Sequence, residues 1–164
     1  MTLSFHVHYP GFFPGTGGTI AGGKRSGKNH AINVPLQPGL CDTNLALVIR
    51  RVGELALKNY KPEVIVLCLG TDGLQGDPLV GECGWNLSSY GLRHVVEIVL
   101  EWNLPLLLLG VNINIHIYIF LEYVYVIDLL TQISCKTARF FSFVHLIIRE
   151  VDMIQRLQQG PGQE

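Results

Sequence analysis

The uninterrupted apolar run at residues 64–69, Val-Ile-Val-Leu-Cys-Leu, constrains the fold more than any other feature of this chain. Such a run, rich in β-branched residues, is typical of a strand buried on both faces of a parallel sheet. A second fully apolar run spans residues 106–109. Apolar residues at helical spacing precede the two runs, after Asp42 and after Ser88 respectively. Strands that alternate with helices in this way predict a doubly wound α/β sheet.

The same alternation predicts the order of elements along the chain. We expect a strand at 2–8, an extended piece at 31–36 and a helix capped by Asp42 or Thr43 that ends near Asn59 or Tyr60. A strand at 64–69, a helix capped by Ser88 or Ser89 and a strand at 106–109 that reaches Gly110 should follow. In proteins with such a sheet, ligands bind beyond the carboxyl ends of the strands. Asp72 lies at that end of the 64–69 strand, which makes it a candidate functional residue.

Composition narrows the classes of function. The formal net charge is −1, so the chain offers no broad basic surface and we expect no direct contact with nucleic acid. Four scattered cysteines form no C-x-x-C pair and indicate the reduced thiols of an intracellular protein. The N-terminus lacks a basic segment followed by an apolar one, so no secretory signal is expected. A length of 164 residues allows one domain with its own core.

Two motifs carry a resemblance to a known family. Residues 10–17 read Pro-Gly-Phe-Phe-Pro-Gly-Thr-Gly, in a glycine-dense loop, and residues 70–78 read Gly-Thr-Asp-Gly-Leu-Gln-Gly-Asp-Pro. In this order and separation, residues 1–110 resemble part of the catalytic domain of a class I histone deacetylase of the histone deacetylase 8 type. The resemblance implies a partial arginase/deacetylase-type three-layer α/β fold with a parallel sheet. It also implies zinc-dependent removal of acetyl groups from lysines of histones or other proteins, in the nucleus or cytoplasm.

The resemblance assigns roles to individual residues. Asp72 matches the second aspartate ligand of the zinc ion in the pattern G-x-D-x-x-x-G-D-P. Phe13 matches an aromatic wall of the narrow tunnel that takes the acetyl-lysine stem, and Leu79 matches an apolar residue at the rim of that tunnel. Ser4 and Phe5 match positions whose backbone carbonyls help to hold a structural potassium ion.

Other parts of the family's machinery are expected to be missing. The Asp-x-His zinc ligands and the histidine pair that acts as general base and acid would lie upstream of Met1. Asn114 stands where the oxyanion-binding tyrosine would fall. A catalytic zinc ion usually has three protein ligands, and the motif supplies one. We therefore expect no retained catalytic residue and no stable zinc binding, and so an inactive fragment. The alternative is a non-catalytic interaction module or truncated isoform, and the oligomeric state stays open.

Residues 111–164 differ in character from the rest of the chain. Residues 111–127 are rich in Ile, Asn, Tyr and Phe, whose codons are AT-rich, so we interpret 111–164 as an aberrant tail and hypothesise a translated intron. Alternation of Asn112, Asn114 and His116 with isoleucines favours a strand. Residues 102–121 contain no charged side chain except histidine, and a membrane-anchored fragment is the weaker alternative because proline, glycine and asparagine interrupt this stretch.

Two histidines need a separate interpretation. His6 and His8 lie two apart on the first predicted strand, so their rings would share one face and could share a metal ion. We favour a structural or surface role for both. The later stretch at 22–28 contains glycines and basic residues but lacks the spacing of a phosphate-binding loop, so nucleotide binding is not expected.

Overall fold

The structure is a computed structural model that describes residues 1–77, 84–111, 124–128 and 143–149, the last two ranges as backbone strands. Its elements in chain order are β1 (Thr2–Val7), β2 (Ala31–Leu36), α1 (Asp42–Tyr60), β3 (Val64–Gly70), α2 (Ser89–Leu100), β4 (Leu106–Val111), β5 (Val124–Asp128) and β6 (Phe143–Arg149), with one turn of 3₁₀ helix at Arg25–Gly27. The predicted elements up to β4 are confirmed with nearly the same bounds. Leu79 and Asn114 fall outside the described residues, as does the alternating stretch that begins at residue 112.

The six strands form one sheet in the order β2-β1-β6-β3-β4-β5. β1 pairs in parallel with β2, and β3 and β5 both pair in parallel with β4. β6 is antiparallel to both of its neighbours, β1 and β3. The α/β fold of the partial deacetylase type is thus confirmed, although the sheet is mixed rather than wholly parallel.

The two α-helices pack against each other. Connections between parallel strands are almost always right-handed, and both crossovers, β2-α1-β3 and β3-α2-β4, move in the same direction along the sheet. Both helices therefore cover the same face, so within the described residues only one face of the predicted doubly wound sheet carries helices. The core between this face and the helices contains Leu3, Phe5, Leu45, Ile49, Ile65, Leu67, Val95, Ile98, Leu106 and Leu108, all nearly or fully inaccessible to solvent.

The N-termini of the two helices differ in their capping. Ser88 caps α2 as predicted, because its hydroxyl accepts a hydrogen bond from the Gly91 amide at 3.2 Å. The prediction that Asp42 or Thr43 caps α1 is wrong, since the N-cap is Cys41 and it makes no side-chain cap bond. Asp42 is instead the first helical residue, and its carboxylate accepts from the backbone amide of Ser88 at 2.8 Å and from the Ser88 hydroxyl at 2.5 Å. The carboxylate thus joins the two helix starts.

The stretch at 102–121, considered above as a membrane anchor, continues beyond residue 111 and so lies partly outside the described residues. Neither α1 nor α2, nor any other helix among the described residues, combines the length and hydropathy needed to cross a bilayer.

Candidate functional site

Asp72 is the most unusual polar residue in the described part of the chain. It follows the carboxyl end of β3, and only 9% of its surface is exposed. Its Oδ2 atom is buried and has no hydrogen-bond partner among the described residues. The pKa of Asp72 is raised from 3.8 to about 7, mainly because burial disfavours the charged form. A backbone hydrogen bond opposes this shift, and the nearby charge of Asp77 adds to it. An ionised carboxylate here would be stabilised by a cation.

The loop that carries Asp72 is fastened to the segment in front of α2. The Gln75 amide donates to the Leu87 carbonyl at 2.9 Å, and the Leu87 amide donates to the Gly73 carbonyl at 3.2 Å. Leu74 and Leu87 form an isolated parallel bridge. These bonds hold both sides of the loop, so the Asp72 carboxylate has a defined position at the end of the sheet.

A buried histidine fastens the glycine-rich loop to β1. His6 is 4% exposed, and its Nε2 lies 2.8 Å from the Gly17 carbonyl oxygen, while its Nδ1 lies 2.9 Å from the Ser4 hydroxyl. Because a carbonyl can only accept, Nε2 carries the proton and donates to Gly17, and in the neutral ring Nδ1 accepts from Ser4. Gly17 has φ +96°, and a Cβ there would lie 2.4 Å from His6 Nε2. Only glycine permits this approach without displacing the ring.

The two adjacent phenylalanines of the loop differ in burial: Phe12 contacts the core and Phe13 is exposed. The Phe12 ring packs on the Tyr9 ring at a centroid distance of 5.1 Å and contacts the core. The Phe12 amide donates to the Tyr9 carbonyl at 3.1 Å, and the Gly15 amide donates to the Phe12 carbonyl at 2.8 Å. Phe13, in contrast, is 52% exposed. Phe12 thus anchors the loop, and the Phe13 ring is presented at the surface.

The predicted potassium positions lie inside the β1 ladder. Ser4 is in register with Asn33 of β2, and Phe5 is in register with Val34. The hydroxyl of Ser4 bonds His6, and the side chain of Phe5 is completely buried in the core. The role of their carbonyls in binding potassium stays a prediction.

Among the described residues, Asp72 is the one member of the predicted zinc-ligand set, and its role as a ligand stays a prediction. No group of three His, Cys, Asp or Glu side chains within the described ranges could hold a metal ion. The His6 and His8 rings lie 6.4 Å apart in a T-shaped arrangement. Both ring nitrogens of His6 already bond the protein, which favours a structural role for His6. The unsatisfied Asp72 oxygen fits one ligand position of a zinc ion.

Sequence reasoning missed the chain of hydrogen bonds from Ser4 through His6 to Gly17. The Ser-x-His spacing on a strand was a usable signal, because it places both side chains on one face. The partner carbonyl could not be found in this way, since Gly17 is one of several glycines in the loop.

Comparison with known proteins gives a consistent result. The model of the histone deacetylase domain matches residues 1–111. The chain is 40% identical to histone deacetylase 8 of Xenopus laevis over 110 residues, which are 67% of this chain and 33% of that protein. It is 43% identical to histone deacetylase 9 of Arabidopsis thaliana, covering 25% of that protein, and 40% identical to histone deacetylase clr6 of Schizosaccharomyces pombe, covering 26%. The chain therefore spans about a third or less of the length of these curated relatives.

Proposed function

Because this chain belongs to the histone deacetylase family, we propose that it carries part of the active site of a zinc-dependent protein lysine deacetylase. The substrates would be acetylated lysines of histones or other proteins, met in the nucleus or the cytoplasm. Asp72 would be one zinc ligand, and Phe13 and Leu79 would line the passage for the lysine stem. The chain covers only a fraction of its relatives, so the complete reaction is a proposal about the larger enzyme.

The observation that carries this proposal is the unsatisfied carboxylate of Asp72. A buried carboxylate oxygen without a hydrogen-bond partner destabilises the folded chain, and a metal ion removes that penalty by coordinating the oxygen. Carboxylate oxygens are accepted zinc ligands. The fixed position of the loop beyond β3 also suits a ligand, because a coordinating group must hold its geometry when the ion binds.

The residues of this chain would have three tasks around the reacting group. Asp72 would hold the ion, which when bound supplies Lewis-acid activation of the acetyl carbonyl and of water. The exposed Phe13 ring would cover the methylene stem of the acetyl-lysine and exclude water from it. His6 would keep the Phe13 loop attached to β1 and so position the ring. The general base and the oxyanion donor have no assigned residue here.

We further propose that this chain alone does not hydrolyse acetyl-lysine. One carboxylate does not bind zinc tightly, because affinity depends on several deprotonated ligands that converge on the ion. Loss of a single oxyanion donor typically reduces the rate ~10²–10³-fold. A site that also lacked the base and two of the three ligands would show no measurable turnover.

The test combines zinc binding with acetate release from an acetyl-lysine peptide. Zinc binding to the purified chain is measured by isothermal titration calorimetry for the natural sequence, for Asp72→Asn and for the control Glu54→Gln, which changes an exposed carboxylate on α1. We expect weak binding that Asp72→Asn abolishes and Glu54→Gln preserves, with no acetate released. Zinc binding unchanged by Asp72→Asn would exclude the ligand role, and zinc-dependent acetate release would exclude inactivity.

Peptide binding gives a second readout that does not need turnover. The acetylated peptide and its unacetylated counterpart are compared by fluorescence anisotropy with the natural chain and with Phe13→Ala. We expect preference for the acetylated peptide, weakened by Phe13→Ala. Equal binding of both peptides would contradict the proposed role of Phe13 and would favour a non-catalytic interaction module.

A further inference from the structure

The order of strands leaves a gap between the two halves of the sheet that one segment fills. β1 and β3 run in the same direction, yet they do not pair with each other. The chain leaves β2 at one edge, forms α1 and enters the sheet again at β3, two positions beyond β1. Without β6, the pair β2-β1 and the group β3-β4-β5 would therefore be separate pieces, each with an open edge.

β6 closes this gap along almost the full length of both neighbours. Its register with β1 runs from His6 opposite Phe143 to Thr2 opposite Ile147. Its register with β3 runs from Leu69 opposite Val144 to residue 64 opposite residue 149.

The gap adjoins the most deeply buried part of the molecule. Leu3 and Phe5 on β1, and Leu67 on β3, are completely inaccessible to solvent. Backbone amide and carbonyl groups beside such a core need hydrogen-bond partners, because water reaches them poorly. An extended segment that pairs on both sides supplies hydrogen-bond partners to the backbone groups of both edges.

We infer that the facing edges of β1 and β3 form a strand-accepting slot, and that residues 143–149 of the same chain are its occupant. The slot lies within the region that matches the family domain, whereas its occupant lies beyond residue 111, where that match ends. The segment that completes the sheet thus lies outside the matched region. Recognition is through backbone hydrogen bonds, as when an extended peptide is added to a sheet edge.

The length of the chain permits this arrangement within one molecule. Asp128 is in register with Gly110, Gly110 with Leu69, and Leu69 with Val144. The end of β5 and the start of β6 therefore lie three strand spacings apart, ~14 Å at ~4.8 Å per spacing. Residues 129–142 reach up to ~46 Å at ~3.3 Å per residue, so a second copy is not needed to supply the segment.

A native cysteine provides a direct test of the register. Cys68 of β3 lies opposite His145 of β6. Directly opposed residues of antiparallel strands have Cα atoms ~4.5–5.5 Å apart, within the range that a disulfide spans. His145→Cys should therefore form a disulfide with Cys68. Leu146→Cys is the matched control, because its register partner is Leu67 and successive strand residues alternate between faces.

The experiment uses the full chain with the other three cysteines (Cys41, Cys83 and Cys135) replaced by serine. After mild oxidation, peptide mapping by mass spectrometry should find at least tenfold more Cys68-linked product for His145→Cys than for Leu146→Cys. Mixed ¹⁴N and ¹⁵N chains should give only links within one chain. Equal yields at both positions, no link to position 145, or links mainly between chains would overturn the inference.

Hydrogen exchange gives an independent test without new cysteines. Leu146→Pro in the full chain removes an amide donor from the middle of β6 and should speed exchange at least tenfold in β1 and β3. Gln155→Pro, beyond β6 in the sequence, is the control and should leave exchange unchanged. Unchanged protection of β1 and β3 in Leu146→Pro would show that 143–149 is not the occupant.

Discussion

Replacement of Asp72 by asparagine should change the pH dependence of stability in a direction that the structure determines. The pKa of Asp72 is raised to about 7 in the folded chain, mainly by burial, whereas the unfolded chain has the ordinary value near 3.8. Between these values the folded state retains a proton that the unfolded state has released. Stability therefore falls as the pH rises from about 4 to about 7, and the loss levels off above that range.

The size of the effect follows from the separation of the two pKa values. Three pH units at ~1.36 kcal/mol per unit set a ceiling of about 4 kcal/mol. Local relaxation and water that reaches the rim of the site reduce this, so we expect about 2–3 kcal/mol. The asparagine side chain is neutral and nearly the same size as that of aspartate, so Asp72→Asn should lose this pH dependence. The variant should be more stable than the natural chain at pH 8 and similar to it at pH 4.

Urea unfolding followed by tryptophan fluorescence at pH 4, 6 and 8, with EDTA present, measures the difference. Glu54→Gln is the control, because this carboxylate lies exposed on α1. The reasoning is refuted if the two free energies of unfolding, natural and Asp72→Asn, stay parallel from pH 4 to pH 8. It is also refuted if Glu54→Gln changes the pH dependence as much as Asp72→Asn does.

Three further substitutions test close contacts of the fold. Gly53→Ala should lower the free energy of unfolding by about 1–3 kcal/mol, because the added Cβ would lie 2.2 Å from the Trp102 ring, although alanine usually favours a helix. Gly17→Ala should make the glycine-rich loop more sensitive to limited proteolysis, because the added Cβ would displace the His6 ring. Gly15→Ala is the matched control, since Gly15 also has a positive φ but a Cβ added there would meet no atom within 4 Å. Ser88→Ala should cost about 1–2 kcal/mol in urea unfolding through loss of the α2 cap.

Each of these predictions has a clear contrary outcome. A more stable Gly53→Ala variant would mean that α1 does not approach the tryptophan ring as closely as described. Equal proteolysis of Gly17→Ala and Gly15→Ala would assign the effect to backbone conformation rather than to the contact with His6. A Ser88→Ala variant with unchanged stability, or no less stable than Ser89→Ala, would show that the cap contributes nothing measurable.

Local patterns were sufficient to predict the elements of the first two thirds of the chain. The apolar run at 64–69 and the helical spacing in front of it depend on neighbours in sequence, and both elements have the expected bounds. The same holds for the cap at Ser88, because a cap bonds an amide three residues away. The candidate site was partly predictable too: Asp72 could be located because it follows a strand end in a recognisable motif.

Contacts between distant residues could not be predicted in this way. Asp42 was expected to cap its own helix, but its carboxylate bonds Ser88, 46 positions away, since folding brings two donors to it there. The Asp72 carboxylate was singled out by its motif, yet its burial and raised pKa depend on what packs around it.

The chain by itself thus determined which segments form strands and helices and which residue stands at the end of β3. Only the tertiary structure decided the order of the strands. The sequence of β6, Phe-Val-His-Leu-Ile-Ile-Arg, is compatible with many positions in a sheet. Its antiparallel insertion between β1 and β3 follows from a gap left by elements far away in the chain. Strand pairing is a long-range interaction, because its hydrogen bonds join backbone groups of segments that can lie far apart in the chain. The partner of a strand therefore depends on which edges the rest of the fold leaves open.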